Sequence, residues 1–496
     1  MKAFYDVIAL GPGLAAPAAA ALLARAGYRV LLLRGPEAEP DAAPRVVAGL
    51  DAPAWVALAD TLALTAPLRR LVKPYDPAWQ VLGPRLRLDV PADDALLARE
   101  LAREVPVEAE GALRFFGRTT ELRGTLDGAF TAQAPLWPRG LWSRARGRFR
   151  RTGLEALEGS VAVELLAAAV AAGASGSGAA PGVQETPPPV SPLLQALALA
   201  PVRFAARLIP PEGAWPPAVA AARAVDALRR DPVTVDGGPA AIAALLAGAA
   251  ARHGAEVRAG AAGTAQEIVH RAARAEGVRV VASPEVLGAS LVLAACDLEA
   301  VATLCPGRAG HARHLRAREA MAPAERVLSL GLRLDDAALP AALGPLAYAV
   351  RDPDAALVEE NLLQLERLPA DARGTARLVV SCLAPAARAA DVEARAALRT
   401  RVLGALDDAC PFAARHVRAD VGPLDLDGAA VFRAAAPPPH GALGPAPDSG
   451  LDDVLAAGPE LAPGLGVEGE ALAAWSLVGR VRDRLGGRVV EGRFKP

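Results

Sequence analysis

Cysteine, histidine and net charge are all scarce in this sequence. Only four of the 496 residues are cysteine and six are histidine, and the net charge is −1. The four cysteines are far apart, so they exclude a disulfide framework and indicate reduced, buried thiols of a cytosolic protein. A net charge near zero creates no field that would attract nucleic acid, so no nucleic-acid partner is expected.

Metal ligands at a recognisable spacing and long apolar runs are also missing. His311 and His314 are close in sequence but have no carboxylate or thiol nearby to complete a set, so we expect an exposed helical face and no metal. No run of eighteen uncharged apolar residues exists, and Met1 leads directly into a strand. We therefore expect neither a membrane span nor a secretory signal. The expected location is cytoplasmic, with peripheral contact at the inner face of the membrane left open.

The first thirty-odd residues have the pattern of a βαβ unit. Asp6–Leu10 is a short apolar run that ends at Gly11-Pro12-Gly13, as a buried strand entering a tight turn would. An Ala/Leu-rich helix over Leu14–Ala26 follows, and Tyr28–Leu33 is a second apolar strand. Strand, glycine turn, helix and strand in this order indicate a dinucleotide-binding unit.

The turn Gly11-Pro-Gly-Leu-Ala-Ala16 fits the GxGxx(G/A) fingerprint. Gly11 permits the tight turn, Gly13 lets a pyrophosphate approach the backbone, and Ala16 allows close packing of helix on strand. The helix start at Leu14 then offers free N–H groups to the phosphates. The alternative is a tight βα turn that binds nothing.

Arg34 stands at the end of the second strand, where an acidic residue usually holds the ribose hydroxyls. An arginine there suits the 2′-phosphate of NADP, whereas FAD has no such phosphate. Glu37 or Glu39 could replace the missing carboxylate, and Arg34 facing solvent is a third interpretation. FAD is the expected cofactor, with NADP as the less favoured one.

Four segments resemble the phytoene desaturase branch of the FAD-dependent amine oxidase superfamily, which includes protoporphyrinogen oxidase-like and retinol saturase-like proteins. They occur in the family's order along the whole chain. The segments are the turn at 11–16, Trp79–Asp89, Gly237–Asp297 and Ala457–Glu470. The resemblance implies an FAD enzyme in which the flavin does the redox chemistry, so no acid–base dyad is required, and the catalytic residues are unknown.

The resemblance also implies that the C-terminal loop and helix lie against the flavin and its phosphates. Glycines there would permit close backbone approach, and a helix beginning at Glu470 would present its N-terminus. The alternative is a glycine-rich loop that caps a terminal helix. The cofactor-binding residues expected in this segment are Gly458, Glu460, Gly464, Gly466, Glu468 and Gly469.

The expected fold is α/β, with a discontinuous Rossmann-type FAD-binding domain and an inserted mixed α+β substrate domain. The FAD-binding domain is expected at 1–50, 225–305 and 446–496. The substrate domain is expected at 51–224 and 306–445, with a low-complexity flexible loop at 173–192.

A basic segment, Trp137–Arg151, interleaves six arginines with aromatic residues. Such a segment suits an anionic membrane surface, from which a lipophilic substrate could be drawn. A solvated basic loop is the alternative interpretation.

These observations predict an FAD-dependent oxidoreductase acting on a hydrophobic, carotenoid- or isoprenoid-like substrate by hydride transfer to or from flavin. Arg34, together with the lack of a Gly-Gly pair between Pro36 and Gly49, leaves a second hypothesis open. This is a degenerate flavin-fold protein that serves as a binding partner. An NADP-dependent reductase is a third hypothesis, which depends on Arg34 alone.

Overall fold

A computed structural model describes most of the chain. The described residues are 4–35, 43–131, 136–137, 200–211, 217–230, 232–271, 274–306, 312–421, 428–448, 451 and 453–486. The predicted loop at 173–192 and residues 138–151 of the basic segment lie outside these ranges.

Strands and helices are numbered here in chain order. The strands are β1 Phe4–Leu10, β2 Val30–Leu33, β3 Val46–Val47, β4 Val72–Pro74, β5 Trp79–Gly83, β6 Leu86–Val90, β7 Leu208–Ile209, β8 Val233–Val235, β9 Glu256–Arg258, β10 Ala265–Arg271, β11 Arg274–Val280, β12 Ser283–Ala294, β13 Met321–Asp335, β14 Leu346–Val350, β15 Leu362–Leu368, β16 Thr375–Pro385, β17 Val417–Val421, β18 Ala430–Ala434 and β19 Val454–Ala456. The helices are α1 Ala15–Arg25, α2 Pro53–Thr61, α3 Thr65–Leu71, α4 Asp94–Glu104, α5 Ala109–Ala129, α6 Ala218–Arg230, α7 Gly238–Arg252, α8 Leu298–Leu304, α9 Ala312–Ala320, α10 Ala386–Ala390, α11 Val392–Ala409 and α12 Gly466–Leu485.

The first sheet has a parallel centre. Its strands β19, β12, β1, β2 and β9 lie side by side in that order and run parallel. β10 and β11 extend it as antiparallel neighbours at the other half of β12. β1 and β2 are almost fully buried apolar runs, as expected for central strands covered on both faces. Two distant parts of the chain therefore complete the sheet that the N-terminal βαβ unit begins.

A second, mostly antiparallel sheet is built from the middle of the chain. Its order is β6-β5-β14-β15-β16-β13-β18-β7, and β17 also pairs with β13. A small third sheet joins β3, β8 and β4. Strands of the first sheet fall within 4–33, 256–294 and 454–456, and those of the second within 79–90, 208–209 and 321–434. The exact domain boundaries stay predictions.

Helix α1 lies at the centre of the main core. Ten of its eleven residues are buried, and they pack against α7 and the C-terminal helix α12. Alanine makes this possible because its small side chain allows helices to approach closely on every side. α11 covers the second sheet over a separate apolar cluster. The helix α1 is therefore fixed in position by its packing, and its N-terminus has a defined place in the molecule.

Candidate functional site

The site begins at the turn between β1 and α1. Gly11 has a φ of +137°, and a Cβ built on it would lie 2.3 Å from the backbone oxygen of Ala295. The amide of Ala295 also donates to Leu10 O at 2.7 Å. No side chain fits between these two backbones. Gly11 is thus required by the way β1 and the end of β12 meet, independently of any ligand.

The N-terminus of α1 holds a carboxylate from the far end of the chain. The amides of Leu14 and Ala15 both donate to Oε2 of Glu470, the second at 3.1 Å. A Cβ on Gly13 would lie 2.6 Å from the same oxygen. The free N–H groups of the helix start therefore bind a carboxyl group of the protein itself, and the predicted cofactor-binding role of this turn stays a prediction.

Two titratable side chains, Glu470 and Arg207, influence each other electrostatically at this position. Desolvation raises the pKa of Glu470, while the Arg207 guanidinium and the amides of Leu14 and Ala15 act to lower it. Burial likewise lowers the pKa of Arg207, and the charge of Glu470 opposes this. Both side chains keep partial access to solvent. The carboxylate thus lies deep among protein atoms yet at an open end of the helix.

The C-terminal helix begins earlier than the sequence indicated. α12 starts at Gly466, so the prediction of a helix from Glu470 is wrong by four residues. Gly466 adopts φ +52°, and its Cβ position lies 3.0 Å from Ala205 O, which favours glycine at this start. Because the helix begins here, Glu468 and Glu470 both belong to its first turns and point to different partners.

Glu468 forms a buried ion pair. Its two oxygens accept from Nε and Nη2 of Arg223 at 2.7 and 2.9 Å. A second carboxylate, Asp127, lies 2.6 Å from Nη1 of the same arginine. Both oxygens of Glu468 are therefore engaged with α6. The predicted cofactor role of Glu468 is untested, and this pairing gives the residue a structural role.

Glu460 lies at another helix start. Its Oε1 accepts from the amide of Leu298 at the beginning of α8, and its Oε2 has no hydrogen-bond partner within the described part of the chain. Burial, followed by the charge of Asp297, raises the pKa of Glu460 to about 8. The structure thus joins Glu460 to the start of α8, whereas the amides of Leu14 and Ala15 at the start of α1 donate to Glu470.

The remaining glycines of the predicted site lie at close contacts within the protein. Gly458, Gly464 and Gly469 are all buried or nearly so, and their size is explained by packing. Their Cβ positions would lie 2.4 Å from Cys296 O, 2.8 Å from Ala442 Cα and 2.4 Å from Ala462 O, respectively.

Ala16 and Arg34 complete the predicted set. Ala16 is fully buried within α1, as its predicted packing role requires. Arg34 directly follows β2, where its amide donates to Arg258 O at 2.8 Å, and the residue is half-buried. Thus Gly11, Gly13 and Leu14 come together with Glu470, whereas Arg34 lies at the neighbouring strand end.

An aromatic cluster lies against the second sheet. Trp79 packs edge-on to Tyr348, with ring centroids 5.9 Å apart, and lies 6.2 Å from Phe116. Phe204 lies 6.0 Å from Tyr348. The segment Trp79–Asp89 forms the β5–β6 hairpin at this edge of the sheet. Trp79, the first residue of this hairpin, therefore belongs to the aromatic cluster.

Trp137 is the described end of the basic segment. Its indole donates to Gly444 O at 3.2 Å, and its carbonyl accepts from Arg480 at 2.5 Å. This tryptophan is therefore half-buried against the protein. Its partners give no evidence of a membrane-facing anchor at this position.

The cysteines agree with their predicted environment, whereas His314 does not. All four cysteines are free and buried, as predicted, and burial raises the pKa of Cys410 to about 11. His314 is fully buried on α9, so the prediction of an exposed face is wrong for it, whereas His311 lies outside the described residues.

Within the described ranges no cluster of His, Cys, Asp or Glu could hold a metal. Of the helices described, none has the length and apolar character needed to cross a membrane.

Comparisons with known proteins identify the fold. No family model and no curated protein sequence matches the chain. An oxidoreductase from Methanosarcina mazei is similar to it with 13% identity and a TM-score of 0.57, covering 95% of this chain and 99% of that one. A putrescine oxidase variant has 12% identity and a TM-score of 0.57, with coverages of 98% and 100%. A cyclohexylamine oxidase from Brevibacterium oxydans has 14% identity and a TM-score of 0.50, with coverages of 97% and 99%.

The chain has the fold of these oxidoreductases. The predicted α/β fold class is confirmed, and so, at the level of fold, is the resemblance to amine oxidases. The narrower resemblance to the phytoene desaturase branch stays a prediction. Sequence reasoning missed Glu470 and Arg207. Glu470 could have been identified because it is an acidic residue in the first turns of α12. The resemblance already implies that this helix lies against the phosphates of the cofactor.

Proposed function

We propose that this protein is an FAD-dependent oxidoreductase that exchanges a hydride with a hydrophobic, carotenoid- or isoprenoid-like substrate. One observation carries the proposal. The amides of Leu14 and Ala15 converge on an anion at the start of α1, where a dinucleotide-binding βαβ unit binds its pyrophosphate. The fold shared with oxidoreductases over nearly the whole chain supports it.

The residues at the start of α1 fit the phosphates of FAD. Leu14 and Ala15 would donate to the pyrophosphate, and Gly13 leaves the space that a Cβ would otherwise fill. Arg34 would face the ribose end, where it provides no acceptor for the hydroxyls. When bound, FAD supplies the hydride acceptor or donor, and the protein's part is to orient the substrate and exclude water.

The substrate class is inferred from the resemblance to the phytoene desaturase branch, which the segment Trp79–Asp89 helps to carry. Trp79, Phe116, Phe204 and Tyr348 are core side chains packed against one another, and they make this part of the second sheet strongly apolar. A substrate of this kind would be drawn from a membrane. The basic segment 137–151 is where we would expect the protein to contact that surface, on the cytoplasmic side.

A second candidate function is a flavin-fold protein without redox activity that serves as a binding partner. The carboxylate of Glu470 favours it, because this side chain already satisfies both amides at the start of α1. Arg34 favours it as well, since it replaces the usual ribose-binding carboxylate.

The visible spectrum of the purified protein tests the proposal. We expect the protein to take up FAD, show a flavin spectrum that dithionite bleaches and air restores, and lose that colour anaerobically with a polyene or isoprenoid substrate. NADP in place of FAD is the control, because Arg34 could accept its 2′-phosphate. A protein that stays colourless and gains no thermal stability from FAD would reject the first candidate and leave the second.

A further inference from the structure

The carboxylate of Glu470 takes the position that an incoming pyrophosphate needs. Its Oε2 accepts from both Leu14 N and Ala15 N, the donors that a dinucleotide would use. The same oxygen lies over Gly13, at 2.6 Å from where a Cβ would be. Each N–H donates well to only one acceptor at a time, so carboxylate and phosphate cannot both be bound there.

Charge makes the two occupants mutually exclusive as well. A pyrophosphate beside an ionised carboxylate would place like charges in a partly desolvated site, which is unfavourable. The Arg207 guanidinium, immediately before β7, is the cation that acts electrostatically on Glu470 among the described residues. Arg207 would continue to favour the charged form of Glu470 if its carboxylate left the amides.

The position of Glu470 is set by helix packing and does not depend on a flexible loop. α12 packs directly on α1, and the residue is the fifth of α12. The buried pair Arg223–Glu468 fixes the same first turn. The carboxylate is thus held at the start of α1 by the fold, while the side chain alone has to move to free it.

We propose that Glu470 is a built-in occupant of the phosphate site, and that a dinucleotide binds only when this carboxylate leaves the start of α1. The inference rests on the proposed function, because it takes FAD as the competing ligand. It goes beyond that function because it identifies the Glu470 carboxylate as a competitor within the protein. This carboxylate weakens cofactor binding until the cofactor displaces it.

Titration with FAD of the full-length wild type, Glu470→Ala and Glu470→Gln tests this inference. We expect Glu470→Ala to bind FAD about tenfold more tightly than the wild type, since a charge-assisted competitor has been removed. Glu470→Gln keeps the shape without the charge, so it should fall between the two and serves if the alanine variant does not fold. Asp483→Asn removes an exposed carboxylate at the far end of the same helix and should bind like the wild type.

Inorganic pyrophosphate, followed by thermal unfolding, separates this inference from the proposed function. Suppose that neither the wild type nor any variant binds FAD, but that pyrophosphate stabilises the Glu470 variants and not the wild type. Glu470 is then established as a competitor for the phosphate site, and the FAD-dependent function is rejected. If the wild type binds FAD as tightly as both variants, the FAD function survives and the competitor is rejected. If neither ligand distinguishes the Glu470 variants from the wild type, the inference is also overturned.

Discussion

Arg223 on α6 and Glu468 on α12 form a two-pronged ion pair in the interior, with N–O distances of 2.7 and 2.9 Å. Less than a tenth of either side chain is exposed. Removal of Glu468 would leave the buried Arg223 with Asp127 as its remaining carboxylate partner, which is costly. The pair therefore fixes α12 relative to α6, and with it the position of Glu470 at the start of α1.

The first prediction concerns this pair. Glu468→Ala should lower the free energy of unfolding by about 3 kcal/mol, the lower end for a broken buried pair, because Asp127 still pairs with Arg223. Replacing both Arg223 and Glu468 by apolar residues of similar volume should cost less. Glu110→Ala, which breaks an exposed i,i+4 pair with Arg114, should cost less than about 1 kcal/mol. Urea unfolding measures all three. Equal losses for Glu468→Ala and Glu110→Ala would contradict the assignment.

The two glycines of the turn should respond differently to alanine. Gly11→Ala forces a Cβ against the backbone of Ala295 at a left-handed φ, so a loss of about 3 kcal/mol or more is expected. Gly13→Ala meets only the end of the Glu470 side chain and should cost about 1–3 kcal/mol while blocking FAD uptake. Thermal unfolding and FAD titration check both changes.

Gly124→Ala is the matched control for these substitutions. Gly124 lies inside α5 with no atom within 4 Å of its Cβ position, so alanine should stabilise the protein by about 0.5–1 kcal/mol. A wild-type melting temperature for Gly11→Ala would show that the turn is not sterically constrained as described.

The third prediction concerns pH. Burial raises the pKa of Glu460 from 4.5 to about 8, so folding favours its protonated form. The contribution of protonated Glu460 to the free energy of unfolding is fully present below pH 4.5 and is lost as the pH rises to about 8. The difference in unfolding free energy between wild type and Glu460→Gln should therefore change by a few kcal/mol, on the order given by linkage, across this interval. A difference that is constant from pH 4.5 to 9 refutes the shift, since both proteins share every other titrating group.

The fourth prediction concerns Glu366 on β15, which joins the second sheet to the small third sheet. It is fully buried and accepts from Arg45 N at 2.7 Å and from the Tyr75 hydroxyl at 2.5 Å. Burial raises the pKa of Glu366, and these donors oppose the rise. Tyr75→Phe should cost about 1.5–3 kcal/mol in denaturant unfolding and raise this pKa further. Unchanged stability would mean that the hydroxyl contributes nothing.

Local patterns were enough to predict the beginning of the fold. The apolar runs and glycines of the first thirty-odd residues predicted β1, α1 and β2, and every predicted boundary lies within two residues of the observed one. Short-range periodicity is enough to determine these elements. Alanine obscured which helix faces were buried, since it fits either face.

The contents of the site could not be predicted in the same way. Glu470 meets Leu14 across 456 residues of sequence, and Arg223 meets Glu468 across 245. Such long-range contacts depend on how α12 is placed against α1 and α6, which no local sequence pattern encodes. The start of α12 was missed for a related reason, since the need for glycine at position 466 involves the nearby backbone oxygen of Ala205, which is remote in the sequence.

The most direct measurement is a crystal structure of the wild-type protein grown with FAD. We expect the pyrophosphate on the amides of Leu14 and Ala15, with the carboxylate of Glu470 turned away from them. Crystals in which Glu470 still holds both amides and FAD is absent, or bound elsewhere, would contradict it.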